Sequence, residues 1–558
     1  MMMKRTVLLL VLILGCFSSF EQVFAQTAIG TYAGNRQKLE EWKDNHFGMF
    51  IHWGPVSLTG KEISWSRGSQ TPIDVYDHLY ERFNPVKFNA DEWVSLAKAA
   101  GMKYIVLTTK HHDGFCLWNT RQTDYNIMHS PFKRDIVKEL SEACKKQGIE
   151  FGTYYSTCDW HNPDFPLTSP GGKVKREKSD LEAYTSYLKR QVSELLVNYG
   201  PLYTLWFDVP QMFDKQRGQN VIDFIRGLQP DIIINNRLGA PGDFDTPEQR
   251  IGGFNNQRPW ETCMTIAQQW SWKPNDKVKT LEQCLQTLIR TVGGDGNLLF
   301  NVGPNAEGVI EPEQVARLKE MGNWLSQYGQ SVYGTRGGPF KPTDWGVSTR
   351  KGNKIYLHIL TSYGNDFKVE LPNVGIAIKD AHIINGRSVK IQKKGSNYLL
   401  EISKKDLKPI DTIVELEMAG DVMNVTPLDV KPLSLLYGKT MTASSVSSPQ
   451  WYGIHNINNG DWSGKGWSPS SNEKRPWVEA SFDKPYKISK AILYEGGRHS
   501  VKAFEIQCFS DSKWKTVYKG NAIGSRLDIK LPPTHAEKVK ILFTEFSQPL
   551  EISEVVIF

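Results

Sequence analysis

Apolar and polar positions along this 558-residue chain change period from one region to the next. From about Gln37 to Thr335, short apolar runs alternate with amphipathic stretches. FGMFIHW (Phe47 to Trp53), YIVLTT (from Tyr104), FGTYYS (from Phe151), LYTLWFD (ending at Asp208), DIIINNR (ending at Arg237) and NLLFNV (from Asn297) read as buried strands. Between them lie helical stripes. Asn89 and Glu92 predict a capped start for a helix that buries Trp93, Leu96, Ala97 and Ala100 and stops at Gly101. Ile136, Leu140, Ala143 and Cys144 form a second stripe ending at Gly148, and Leu281, Cys284, Leu285, Leu288, Ile289 and Val292 a third. Strands alternating with helices at this spacing predict an α/β class protein with a parallel sheet closed into a (β/α) barrel. About seven strands can be placed, which leaves the barrel either regular or irregular.

The period then shortens. KIYLHIL, YLLEIS and TIVELEM, separated by Gly and Asn, predict an antiparallel β-sandwich over 337–425. WVEASF, KISKAILY, VKAFEIQCF, KVKILF and EISEVVIF predict a second all-β unit over 433–558. The catalytic barrel is then expected over 26–336. Residues 1–25 read as an export signal: Lys4 and Arg5 precede the apolar run Val7 to Leu14, and Val23-Phe24-Ala25 offers a cleavage site before Gln26. This predicts a secreted or periplasmic protein. The alternative uses Ile13-Leu14-Gly15-Cys16, which resembles a lipoprotein box and would tether the chain through Cys16.

Charge and cysteine content narrow the function classes. A net charge of +7 at this length is mild and forms no basic stripe, which argues against a nucleic-acid partner. The 7 cysteines include no CxxC pair, so buried free thiols are the default. The 17 tryptophans supply flat apolar faces, of which most are expected in packing and some against sugar rings.

Candidate chemistry gathers at strand ends, where barrel enzymes keep it. Thr108 to Trp118, TTKHHDGFCLW, offers two histidines, an aspartate and aromatics just past a strand. Neighbouring residues on a strand face opposite ways, so His111 and His112 share a site only beyond the strand end. As hydroxyl-reading groups they make better sense than as metal ligands, since no HExxH or cysteine pair accompanies them. Asp208 ends an apolar strand, where a carboxylate is placed as a nucleophile or as a helix N-cap. Glu261 follows Trp260, and an adjacent indole would raise its pKa as a general acid requires. Two carboxylates are what glycoside hydrolysis needs. His52, Glu62, Tyr154, Arg237 and Trp272 gain meaning only as a set with these.

The segments FGMFIHWG, YIVLTTKHHDGFCLW, FGTYYS, LWFD, NNR, WETC and GGDGNLLFNVGP, running from Phe47 to Pro304, resemble the α-L-fucosidases of glycoside hydrolase family 29. The resemblance implies a retaining exo-α-L-fucosidase acting on fucosylated glycans. It implies Asp208 as nucleophile and Glu261 of WETC as general acid/base, with His52, Glu62, His111, His112, Tyr154 and Arg237 around the sugar. Trp272 matches an aromatic under the ring; relatives read Ser-Trp-Gly-Tyr there, where this chain has Lys273 and Pro274. No metal or organic cofactor is required by this chemistry. GKTMTASS, NINNGDWSGKGW and WVEASFDKPYKISKAIL resemble a discoidin-like (coagulation factor 5/8 type C) jelly roll, a fold that binds ligands, often sugars, through loops at one end; Trp451 and Tyr452 are loop aromatics that either stack on sugar or simply pack. Its NGD turn, Asn459-Gly460-Asp461, is either a structural calcium site or an ordinary turn. Two other readings use the same residues: a related sugar as substrate, or a glycan-binding protein with an inactive barrel. Neither linkage preference nor oligomeric state follows from the motifs.

Overall fold

The computed structural model describes residues 35–167, 176, 178–361, 366–460, 462, 465–496, 499–547 and 549–558. The expected export signal, with Cys16, lies outside the described residues, as does Asp461 of the NGD turn.

Seven parallel strands form the first sheet: β1 (Phe47–Ile51), β2 (Tyr104–Lys110), β3 (Glu150–Ser156), β4 (Thr204–Asp208), β5 (Ile233–Ile234), β6 (Glu261–Thr265) and β7 (Asn297–Val302). Their order is β5-β4-β3-β2-β1-β7-β6. The open edges, β5 and β6, are joined by an irregular stave. Parallel bridges link Asn235 to Phe244, Asp245 to Trp260 and Glu248 to Cys263. Glu261 N–H donates to Asp245 O and Gln249 N–H to Cys263 O, each at 2.9 Å. This segment cannot be a regular strand. Gly242 takes φ +55 against the Asn235 carbonyl, and Pro247 brings no N–H to the ladder. The barrel is therefore closed, with one irregular member.

The predicted caps form. Asn89 accepts from Glu92 N–H, Asp135 from Lys138 N–H, and Thr280 with Gln283 makes a full capping box. The helices lay their apolar stripes on the outside of the sheet. Inside it, Phe50, Tyr104, Val106, Tyr154, Trp206, Ile233, Phe244, Cys263 and Leu299 fill the barrel as a separate core. Gly48 makes room for this core, because a Cβ there would lie 2.3 Å from the Tyr104 ring. Tyr104 cannot swing away without losing its hydrogen bond to Glu261. Gly48→Ala is expected to cost about 1–3 kcal/mol by overpacking, read as a lower Tm in calorimetry; an unchanged Tm would show that the ring has room to move.

The sandwich pairs a five-stranded sheet with a three-stranded one over a core that includes Trp345, Leu357 and Leu416. The C-terminal unit is a sheet built on two long strands, Trp477–Glu495 and Leu527–Phe546. Its connection to the sandwich is ordered: Asp344 accepts from Leu433 N–H at 3.0 Å and Ser434 N–H at 2.5 Å.

Candidate active site

Asp208 is the last residue of β4. Trp206, two residues earlier, points into the same interior, as the strand period requires. The Asp208 carboxylate is held on several sides. Its Oδ1 accepts from Arg237 Nη1 at 2.8 Å and Val209 N–H at 2.9 Å, and its Oδ2 from Tyr154 Oη–H at 3.0 Å. His112 Nε2 lies 3.8 Å from Oδ2. Val209 adopts φ 53, a left-handed conformation that is costly for a β-branched residue, and this turns its N–H back onto the carboxylate. Burial pushes the Asp208 pKa up, but Arg237, His112 and the hydrogen bonds outweigh it and hold it below the ordinary value. Asp208 is ionised at neutral pH, and its side chain keeps 16% exposure.

β2 ends at Lys110, so His111 and His112 both lie past the strand and both turn toward this site. Their rings sit 3.9 Å apart, and His111 stacks on Tyr154 at 5.3 Å. His111 Nδ1 is 2.6 Å from Ser64 Oγ, and His112 Nδ1 is 2.7 Å from Ser156 Oγ. His52 Nδ1 is 2.6 Å from Asn301 Oδ1. Asn301 Nδ2 donates to Trp270 O at 2.7 Å, so its Oδ1 must accept from His52. His52 is thereby fixed with its proton on Nδ1 and a lone pair on Nε2. Burial lowers all three histidine pKa values, to about 3 for His52 and about 4 for His112. Neutral imidazoles with one ring nitrogen committed are suited to reading hydroxyl groups.

Aromatic faces wall the site. Trp270 lies 4.8 Å from His52, and Trp65 packs edge-on against His112 at 5.2 Å and Trp160 at 5.5 Å. Trp65 is 38% exposed. Glu62 sets Trp270 in place: its carboxylate accepts from the N–H groups of Ile63, Trp270 and Ser271, each at 3.1 Å. It thus clamps two loops together. Trp272 is not brought to the histidines. Its Nε1 donates to Glu311 at 2.7 Å, and its ring faces Gly60. The aromatic beside His52 is Trp270, two residues earlier than the sequence placed it.

Glu261 is also displaced from expectation. It is the first residue of β6, at the opposite end of its strand from the barrel mouth, and it is 0% exposed. Its Oε1 accepts from Trp206 Nε1 at 3.0 Å and its Oε2 from the Tyr104 hydroxyl. The stacked rings of Trp206 and Tyr154, 5.6 Å apart, separate it from Asp208. Burial raises its pKa to about 7, as the sequence anticipated, but the carboxyl is fully buried and committed to Trp206 and Tyr104. The position beside Asp208 is taken by Glu248, on the irregular stave. Arg237 Nη1 donates to Glu248 Oε2 at 2.8 Å as well as to Asp208, and Glu248 keeps 42% side-chain exposure. Arg237 is itself fixed by Thr246 and lies 5.1 Å over the Trp206 ring. The two bonded carboxylate oxygens are no farther apart than twice 2.8 Å. The sequence reading overlooked Glu248, Trp65, Trp270 and Asn301. The available signal for Glu248 was Thr-Pro-Glu-Gln, polar residues in a span between two barrel strands that carries no helical stripe. Among the described residues, no group of three or more His, Cys, Asp or Glu is arranged to hold a metal ion.

Comparison with known proteins accounts for this arrangement. The α-L-fucosidase family model matches residues 23–330, and the F5/8 type C domain model matches 440–555. Human plasma α-L-fucosidase is 32% identical over 365 residues, 58% of this chain and 76% of the relative. The structure of α-L-fucosidase isoenzyme 1 from Paenibacillus thiaminolyticus is similar at 34% identity and a TM-score of 0.64, covering 69% of this chain and 100% of that one. So is a family 29 α-L-fucosidase from Bacteroides thetaiotaomicron, captured as a trapped covalent intermediate with 2-fluoro-fucosyl fluoride, at 28% identity and a TM-score of 0.62, covering 69% and 96% of the two chains. With its barrel, its strand-end aspartate and its cluster of buried histidines, the chain belongs to the α-L-fucosidases of glycoside hydrolase family 29 and carries an F5/8 type C domain.

Proposed function

We propose that this protein is a retaining exo-α-L-fucosidase with Asp208 as nucleophile and Glu248 as acid/base, Glu248 replacing Glu261 in that role. The observation that carries it is the shared guanidinium. Two carboxylate oxygens bonded to one nitrogen of Arg237 at 2.8 Å each can be no farther apart than twice that distance, which is compatible with the roughly 5–5.5 Å separation of retaining glycosidases and short of the roughly 6.5–9.5 Å that leaves room for an inverting water. The covalent intermediate of the Bacteroides relative supports the same chemistry.

In the first step Asp208 attacks the anomeric carbon and forms an ester. The bond to the departing oxygen breaks, and Glu248 gives that oxygen its proton. In the second, Glu248 takes a proton from water, the water oxygen bonds to the anomeric carbon, and Asp208 leaves as carboxylate. Tyr154 and Arg237 orient Asp208 while it is free. His52, His111 and His112 receive the ring hydroxyls of fucose, and Trp270 offers an apolar face.

The test is hydrolysis of p-nitrophenyl α-L-fucoside followed by proton NMR. The expected first product is α-L-fucose, which mutarotates later. β-L-Fucose appearing first would refute retention, and no release from aryl or natural fucosides would refute the activity.

A further inference from the structure

A cleft of about 240 Å³ lies between the F5/8 type C domain and the irregular stave, lined on the barrel side by Glu248, Gln249, Arg250 and Ile251. The domain contributes Trp462, Tyr494, His499 and Arg526. A second cavity of about 360 Å³ adjoins it and shares Ile251, Arg290 and Trp462.

We propose that this cleft is the subsite for the leaving group, so that the C-terminal domain completes the active site and recognises the sugar to which fucose is attached. The proposal rests on the reading of Asp208 and Glu248 given above. If Glu248 protonates the departing oxygen, the leaving sugar must lie next to Glu248 on the side away from Asp208, and Glu248 itself lines the cleft. The lining has the composition of a sugar site, a flat apolar face beside polar donors. Trp462 stacks on Tyr494 with ring centres 5.6 Å apart. Arg526 is pre-oriented: Asp528 holds its Nε at 2.6 Å and its Nη2 at 3.0 Å, while Nη1 donates to Tyr494 Oη at 3.0 Å. The Arg290 guanidinium lies 5.7 Å from the Trp462 ring centre. The carboxylate of Glu495 accepts from the Val501 and Gly524 N–H groups. The occupant is the sugar unit to which fucose is joined in a fucosylated oligosaccharide.

The experiment compares full-length parent, Trp462→Ala and Arg250→Ala. Arg250 is exposed, so its replacement tests the cleft even if the Trp462 variant folds poorly. For each protein, kcat/KM is measured on p-nitrophenyl α-L-fucoside and on oligosaccharides bearing α1,2-, α1,3-, α1,4- or α1,6-linked fucose. The ratio of oligosaccharide to aryl kcat/KM is expected to fall at least about tenfold in both variants, mainly through KM. An unchanged ratio in a folded variant, or a parent that cleaves the aryl fucoside but no oligosaccharide, overturns the subsite. A parent that cleaves neither overturns the fucosidase reading and the subsite with it.

Discussion

Asp208→Ala is expected to reduce kcat by on the order of 10⁴–10⁶-fold, because in the proposed mechanism it removes the atom that bonds to the sugar. The fold should survive. Arg237 keeps Glu248, Thr246 Oγ1 and Thr246 O as acceptors, and the space left by the truncated side chain can admit a water to accept from the Tyr154 hydroxyl. The linkage is also defined. The Asp208 pKa is lowered in the folded state, so its contribution to stability is present above the ordinary carboxylate range and is lost as pH falls through the folded value. Parent and variant should therefore converge in Tm toward acid pH. The decisive readout is chemical rescue. The truncated side chain leaves room for azide, which would attack from the face Asp208 used and give β-L-fucosyl azide by a single inversion. Ordinary turnover by the variant, or an azide adduct of the α configuration, would remove Asp208 from the nucleophile role.

The alternation of apolar runs and amphipathic stripes was enough to read the barrel, because buried parallel strands are nearly continuous in apolar residues. It could not show the stave over residues 243–249. Gly242 and Pro247 break the period of two there, and its pairing is visible only as isolated bridges. That stave carries Glu248, so the same irregularity that hid the strand hid the carboxylate. His111 and His112 were legible because their meaning depends only on where β2 ends. Glu261 was misplaced for a different reason. Its neighbour Trp260 correctly signalled a desolvated carboxyl with a raised pKa, but burial is the same whether a residue lies at the mouth or the floor of a barrel. Level along a strand is set by register, and register is not written beside the residue. Trp270 and Trp272 show the same limit in a loop: the choice between them is made by the Glu62 carboxylate, more than two hundred residues away in sequence.

Glu248→Gln and Glu261→Gln, measured together, separate the reacting carboxyl from the buried one. Glutamine at 248 can neither give nor take the proton, so kcat/KM on natural oligosaccharides is expected to fall about 10²–10⁴-fold. A 2,4-dinitrophenyl leaving group needs no proton, so the fucosyl-enzyme should still form from that substrate, giving a burst of one equivalent and then slow turnover. Azide should speed the second step and yield the α-fucosyl azide, because two inversions then occur. Glutamine at 261 should cost less than about tenfold. Its carbonyl can still accept from Trp206 Nε1, while its amide, which only donates, leaves the Tyr104 O–H without its acceptor, a cost of about 1–3 kcal/mol that falls on stability. Its effect belongs in stability. The parent carboxyl goes from an ordinary 4.5 to about 7 on burial. A raised pKa of this kind leaves stability intact below pH 4.5 and removes it as pH rises toward 7, by roughly 3 kcal/mol. Glu261→Gln, having no charge to bury, should flatten that decline, so that its stability relative to the parent rises between pH 4.5 and 7. The opposite pattern, with Glu248→Gln fully active and Glu261→Gln showing the burst and the azide rescue, would return the proton transfer to Glu261 and require the barrel floor to open during turnover.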